Sequence, residues 1–245
     1  MAQTEFDRDQ FEEAYPPGIE RSWWHVARNR VIARTFDRHV PKGSRVLEVG
    51  CGTGIVTAAL LRHGWNASGV DMGEPKRGLH SPEHLMLGTD ALALPAELRA
   101  SIDVLAFFDV IEHISDPRAF LRALLDAFPN AQHVVITVPA RKELWTSFDD
   151  HYGHFRRYDL GALRDDLAGA GLRQKHARYF FHGVYPAILL NNVVRGRKRD
   201  IRFTAPTGGF STASNRLIGS FFAAEATLFP GRIMGSSIIA VASRA

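Results

Sequence analysis

The chain has almost nothing that would tie it together covalently. Cys51 is the single cysteine among 245 residues, so no internal disulfide forms and no multi-cysteine metal site is available. A reducing, cytoplasmic setting is the simplest expectation. Long apolar runs are missing too. The most hydrophobic late stretch, 179–194, is broken by His182, Gly183, Pro186, Asn191 and Asn192, whereas a membrane span takes ~20 mostly apolar residues. The first residues, MAQTEFDRDQFEEAY, are polar and acidic, without a basic start and apolar stretch, so export is not expected. Internal repeats and low-complexity tracts are lacking. Neither sign of charge dominates: 30 basic against 26 acidic side chains leave +4 and a pI near 9.5. That balance suits an anionic substrate or surface and is too diffuse to imply nucleic acid.

What is present is core-forming material: 45% of residues are hydrophobic, 10% aromatic and 23% charged, the composition of a globular protein. At about 150 residues per domain, the length predicts one large α/β domain with an elaboration. Residues 20–39 carry Trp23, Trp24, Ala27, Val31, Ile32 and Phe36 near helical spacing, then stop at Pro41-Lys42-Gly43. This predicts an N-terminal helical cap over 1–42. Short apolar runs at 45–49, 66–70, 84–87, 102–108 and 133–138 read as strands, with helical patterns between several of them, notably 55–63 and 117–128. A helix over 159–171, a strand over 172–181 and a last strand over 236–242 follow. Alternation of this kind predicts βαβ units and a doubly wound, Rossmann-like, mainly parallel seven-stranded sheet. The core is expected over 43–180 and its final strand within 233–245. Between them, residues 181–232 form an insertion too apolar for disorder, with a basic run Arg195-Gly196-Arg197-Lys198-Arg199 and a helical pattern at 214–229. It reads as a lid facing substrate.

The strongest local signal is Val46-Leu47-Glu48-Val49-Gly50-Cys51-Gly52-Thr53-Gly54, a strand running into three alternate glycines and then a helix. Glycine permits positive φ and lets a ligand approach bare backbone beside unpaired helix N–H groups. The dinucleotide fingerprint needs Gly or Ala where Ile55 stands, and no lysine completes a phosphate loop. A nicotinamide-dependent oxidoreductase is therefore disfavoured.

With its acidic residue before Gly-x-Gly-x-Gly, the chain resembles the class I S-adenosylmethionine-dependent methyltransferases over about residues 20–175. The resemblance implies S-adenosylmethionine as cofactor. It assigns Asp71, at the end of the second strand, to the two ribose hydroxyls; the alternative for Asp71 is a helix cap. Met72 would pack on adenine, and Asp90, beside Ala91, would receive the adenine amine, or else serves as a turn residue. Glu48 would reach the methionyl amine directly or indirectly, backbone at Phe108 would face the methionyl end, and Arg28 would take the carboxylate. Gly50, Cys51, Gly52 and Gly54 form the loop; Cys51 reads as packing, not as a nucleophile.

Asp109, Glu112 and His113 are spaced to share one helical face if that segment is helical. Relatives that O-methylate quinone precursors have a similar arrangement that suggests a divalent metal, but Glu-His is also widespread among relatives with no metal, so a capped, solvated turn is the preferred reading and no metal is expected. After the fifth strand, Asp149, Gly153, His154, Arg156, Arg157 and Tyr158 resemble the Asp-x-x-x-Gly-His-x-Arg-Arg-Tyr signature of one bacterial branch of these enzymes. Trp23-Trp24 and Arg28 resemble that branch as well. Methyl transfer from a sulfonium needs orientation above all, and an oxygen acceptor must also lose a proton. His154 is the first candidate base and His151 the second; the alternative is that His154 and Arg157 only tie the loop to the sheet. The function read from this is methylation, with O-methylation of a small or lipid-linked metabolite first. A non-catalytic cofactor-binding regulatory or scaffold protein is the alternative. The apolar and basic insertion points to peripheral membrane contact without spanning.

Overall fold

A computed structural model of the chain describes residues 8–78, 82–199 and 203–245. Its amino-terminal part contains a short helix α1 (Arg8–Ala14), a 3₁₀ turn (Ile19–Arg21) and the long helix α2 (Trp23–His39). The sheet then begins with β1 (Arg45–Val49), followed by α3 (Ile55–Arg62), β2 (Asn66–Asp71), β3 (Leu85–Leu87), α4 (Ala96–Ala100) and β4 (Val104–Phe108). Next come α5 (Pro117–Ala127), β5 (His133–Pro139), α6 (Ser147–His151), α7 (Leu160–Gly169) and β6 (Leu172–Phe180). The chain closes with α8 (Val184–Arg195), α9 (Gly208–Leu228) and β7 (Ser237–Arg244).

The seven strands form one sheet in the order β3-β2-β1-β4-β5-β7-β6. The first five are parallel and β7 runs antiparallel to both its neighbours. Every residue of β4, VLAFF, is buried, as a parallel strand covered on both faces requires. Alternate residues serve opposite layers: Leu47 joins Phe107, Leu124 and Leu163 under α5 and α7, while Val46 joins Phe36, Leu60 and Phe108 under α2 and α3. The chain runs outward from β1 to β2 and β3, then crosses back to β4 on the other side. That reversal opens a crevice beyond the carboxyl ends of β1 and β4, where open α/β sheets bind ligands.

The connection between β6 and β7 is divided in two. Helix α9 lies along α2 and closes that layer. Trp23 stacks within 5.0 Å of Phe222, Arg34 donates to the Ala223 carbonyl at 2.6 Å, and the Asn215 side chain accepts from the Trp23 N–H at 2.9 Å. The last contact caps α2 from another helix, since the Ser22 side chain makes no capping bond. Helix α8, in contrast, buries none of its residues and roofs the crevice.

Several boundaries differ from the sequence reading. The helix expected over 20–39 starts at Trp23, because Gly18 at φ 89° leads into a separate 3₁₀ turn. The helix expected over 159–171 is shorter because Asp159 stays outside it, accepting from the Ala162 N–H at 2.8 Å. The helix expected over 214–229 begins at Gly208; two glycines and a run of small polar residues conceal its first turns.

At the α2–α9 contact, a Cβ built on Gly219 would lie 2.7 Å from Val26 and 2.8 Å from the Trp23 carbonyl oxygen. Gly219→Leu is expected to pry α9 from α2 and lower stability by about 1–3 kcal/mol, the usual cost of overpacking, read as a drop in urea midpoint.

Candidate active site

The crevice is a chamber of about 1060 Å³ bounded by the glycine loop, the ends of β2, β4 and β5, the 3₁₀ turn after β4, the α6 loop and α8. Gly50, Gly52 and Gly54 all take positive φ, at 75°, 52° and 80°. A side chain on Gly50 would strike Val110 at 2.7 Å, and one on Gly52 would meet the Tyr15 hydroxyl at 3.2 Å, so the turn needs glycine for both conformation and space. Asp71 is buried and takes two backbone N–H groups, from Gly52 and Gly73, each at 2.7 Å. Burial raises its carboxyl above the ordinary range against those two donors.

Met72, Asp90, Ala91 and Phe108 also line the chamber. Asp90 uses one oxygen to cap a 3₁₀ turn at Leu92 N–H, 2.9 Å. Glu48, Cys51 and Gly54 lie behind the lining. Glu48 accepts from the Thr57 hydroxyl, and burial pushes its carboxyl up to about 7 in spite of that bond. Cys51 is buried against Gly69, its thiol 3.7 Å from the Gly52 carbonyl oxygen; burial raises its pKa and makes it inert.

Arg28 projects into the chamber from α2, but it is already engaged. Its Nη2 lies 2.6 Å from Asp109 Oδ2 and its guanidinium sits 4.9 Å from the centre of the Trp24 ring. Asp109 holds φ 58°, a conformation non-glycine residues seldom take, and accepts from Thr137 at 3.2 Å. The shared helical face expected for Asp109, Glu112 and His113 does not form: Asp109 turns toward Arg28, and only Ile111–His113 form a single 3₁₀ turn. Instead, Glu112 and His113 meet His154, with a donor atom from each within 4.8 Å of the others. Neither Glu112 oxygen has a hydrogen-bond partner among the described residues; burial, aided by Asp109, pushes its carboxyl well up. Burial beside His154 lowers His113 to about 3, so it is neutral.

Asp149 organises the loop that carries His154. It is fully buried and accepts from Arg157 Nε at 2.7 Å and Nη2 at 3.0 Å, from the Thr146 N–H at 2.8 Å, and contacts His154 Nδ1 at 2.8 Å. Burial alone would raise its pKa, but the bonds from His154 and Arg157 outweigh it and hold it at about 2. An ionised Asp149 selects the His154 tautomer that donates from Nδ1, leaving the Nε2 lone pair for other work. His151 is elsewhere: it lies outside the chamber lining, 3.1 Å from Glu13 of α1. Tyr15 was not singled out from sequence. It lines the chamber against Gly52, in the electrostatic reach of Arg28, Asp71, Asp109 and Glu48, and the only hint was its place just before Pro16-Pro17-Gly18.

A glycine cradle, buried carboxyls and a crevice at the sheet's switch point define a site for a nucleoside-bearing cation. The sequence model of the methyltransferase domain matches residues 23–177, and the chain belongs to that family. It is an S-adenosylmethionine-dependent methyltransferase of class I, an enzyme whose cofactor is S-adenosylmethionine, and the oxidoreductase reading falls away. Ubiquinone biosynthesis O-methyltransferase from Pseudomonas entomophila is 35% identical over 88 residues, 33% of this chain and 38% of that protein. The same-named protein of Stutzerimonas stutzeri is 32% identical over 103 residues, 39% and 44% of the two chains. The chain thus matches well under half the length of these relatives. In fold it is similar to the 1,6-didemethyltoxoflavin-N1-methyltransferase of Burkholderia thailandensis, with a TM-score of 0.52 at 15% identity over 91% of this chain and 80% of that one.

The depressed carboxyl of Asp149 sets a pH signature. Its folded value of about 2 lies below the ~3.9 of an unfolded aspartate. The stability it contributes, about 2–3 kcal/mol, is present above pH ~4 and is lost as pH falls toward 2. Asp149→Asn is expected to flatten urea-derived stability over that window and, by leaving Arg157 buried without its counter-ion, to cost about 3–5 kcal/mol at neutral pH.

Proposed function

We propose that the enzyme methylates an oxygen of a small amphiphilic acceptor, free or lipid-linked, and that His154 takes the acceptor's proton. The observation that carries this reading is the Asp149–His154 pair, 2.8 Å apart, on the wall of the chamber that also holds the glycine loop. Asp149 orients the ring and stabilises the imidazolium that forms, and Nε2 accepts the proton as the acceptor oxygen turns nucleophilic. Bound S-adenosylmethionine supplies a methyl group already activated by its sulfonium charge.

Asp71 would hold the ribose through the lone pairs not committed to Gly52 and Gly73, and Met72, Asp90 and Ala91 would border the adenine. Arg28, paired with Asp109, would meet the methionyl carboxylate, and Glu48 would act on the methionyl amine from behind the loop. The acceptor end is apolar on one side, with Val184, Ala187 and Ile188 of α8, and cationic on the other, with Arg195, Lys198 and Arg199. That suits an amphiphile reached peripherally from a membrane; no described helix is long and apolar enough to cross one. The named activity of the Pseudomonas relative favours oxygen over nitrogen or carbon as the methylated atom.

One observation favours a second role for the same wall. Glu112, His113 and His154 offer one carboxylate and two imidazoles within 4.8 Å, with the Glu112 oxygens unpartnered and His113 neutral, a donor set that fits a divalent cation. Such an ion would stabilise the anionic form of an acceptor oxygen; Glu112 and His113 would hold it and His154 would complete it.

Asp71→Ala is expected to weaken S-adenosylmethionine binding by about 1.5–3 kcal/mol, the worth of charge-assisted hydrogen bonds, by calorimetry; unchanged affinity in a folded variant removes Asp71 from the ribose. Incubation of the enzyme with methyl-labelled S-adenosylmethionine and a total cell extract should move label into an organic-extractable product stable to base. Label confined to polar products or to protein overturns the amphiphile. With that acceptor, His154→Ala should keep cofactor affinity and lose about 10²–10⁴-fold in turnover. Inhibition by chelator, reversed by magnesium, makes His154 a ligand instead of the base.

A further inference from the structure

The basic charge of this protein is not spread over it. Residues 181–232 hold seven basic side chains against two acidic ones, a surplus of five, while the whole chain has a surplus of four; outside the insertion the balance is slightly acidic. Exposed apolar side chains are gathered in the same place. Among the described residues, the large hydrophobic side chains that stay exposed all fall between Leu189 and Met234 except Leu92 and Phe155.

On α9 they form a stripe. Phe210, Leu217, Phe221 and Leu228 are 91%, 73%, 66% and 79% exposed, and at 100° per residue their spacing puts them within roughly 40° of one another along ~27 Å of helix. The opposite face, with Gly219, Ala223 and Ala226, is the one buried on α2. On α8, Leu190, Val193 and Val194 are likewise exposed, while Ala187, Ile188 and Asn191 line the chamber. The basic run that follows α8 is not a loose loop. The Ser147 N–H donates to the Arg197 carbonyl at 2.9 Å, the Arg199 N–H to Ser147 Oγ at 3.0 Å, and the Arg199 guanidinium lies 4.7 Å from the Phe148 ring centre. The backbone of the run is therefore pinned to the α6 loop, with the Arg199 cation held against Phe148.

We infer that the outer face of α8 and α9, with Arg195, Arg197 and Lys198, is a docking surface for an anionic lipid bilayer. Apolar side chains that enter the acyl boundary beside cations that meet the headgroups are what an interfacial segment requires. A second copy of the chain is the wrong occupant, because it would bring the same positive surplus against this one. An acidic protein would satisfy the charges but not a stripe of phenylalanine and leucine running the length of a helix. Docked this way, the protein presents its chamber, roofed by the inner face of α8, to the membrane. The inference deepens the amphiphilic-acceptor reading and rests on it for its purpose, but the surface itself is tested without acceptor or turnover.

Co-sedimentation of the full chain with vesicles of mixed phosphatidylglycerol and phosphatidylcholine should be strong at low salt, fall as salt screens the charges, and be slight with phosphatidylcholine alone. Replacing Arg195, Arg197 and Lys198 together by Ser should weaken it by about 100-fold, at ~1 kcal/mol for each cation near an anionic surface. Leu217→Ser with Phe221→Ser should also abolish it, while melting temperature and S-adenosylmethionine affinity stay as in the parent, because both side chains face solvent. No sedimentation with anionic vesicles at low salt overturns the inference, as does binding indifferent to both sets of substitutions. So do capture of soluble polyglutamate without vesicle binding, which assigns the face to an acidic protein, and a dimer in ultracentrifugation that Phe221→Ser dissolves. Vesicle binding without methyl transfer leaves the surface standing and fails only the acceptor reading.

Discussion

A single buried carboxylate organises the wall of the chamber that carries His154. Asp149 takes the Arg157 fork, the Thr146 N–H and His154 Nδ1 at once, and so fixes the loop between β5 and α7 as one rigid piece. The loop is then sewn down at both ends. Arg157 reaches the Ala140 carbonyl, the Tyr158 N–H donates to the Pro139 carbonyl at 2.9 Å, and the Phe155 N–H donates to the backbone carbonyl of Glu112 at 2.8 Å. Removing the charge from the water around it is costly unless partners compensate, and here two cation-capable groups and the N–H and hydroxyl of Thr146 do. The cost of burial is thus spent on placement: His154 can occupy only the spot beside Glu112 and His113.

The glycine-loop wall is built differently, from backbone. Gly50 and Gly52 hold conformations and clearances that side chains would spoil, and Asp71 secures the loop by accepting from Gly52 across to the end of β2. These groups belong to strand ends of one sheet, so their positions follow from strand register. The groups of the opposite wall come from a loop and an insertion, and depend on side-chain bonds. This difference explains how much of the molecule was legible in its sequence. The parallel strands, the glycine loop and the acid after β2 are local patterns of period and spacing, and a chain of one residue type after another records them directly. The partnership of Arg28 with Asp109 and the meeting of His154 with Glu112 and His113 join residues far apart in sequence. No spacing rule announces them. The Asp109 backbone even misleads: its neighbours suggest a helical face, while the positive φ that turns it toward Arg28 is set by tertiary contact.

The insertion shows the same limit. Its composition marked it as apolar and basic, but composition alone does not separate a helix that packs from one that does not. Seven-residue spacing repeats on both faces of α9; only the presence of α2 against Gly219 decides which face is buried and which stripe remains outside. In α8 neither face is fully buried, because one borders the chamber and the other solvent.

These features together polarise the chamber. At the sheet end, burial raises the carboxyls of Asp71, Glu48 and Glu112, because desolvation outweighs the donors and positive charge around each. At the insertion end, burial lowers the Arg199 guanidinium, and Arg195 and Lys198 stand beside it without an acidic neighbour on α8. A cationic ligand is drawn to the first end, since it offsets desolvated carboxyls. An electron-rich or anionic one is drawn to the second. The two ligands of a methyl transfer differ in just this respect, so under the proposed reading this separation of charge would sort the cofactor to the first end and the acceptor to the second. Orientation is most of what an activated methyl group requires, and under the proposed reading charge separation across a single cavity would supply part of it before either ligand makes its specific contacts.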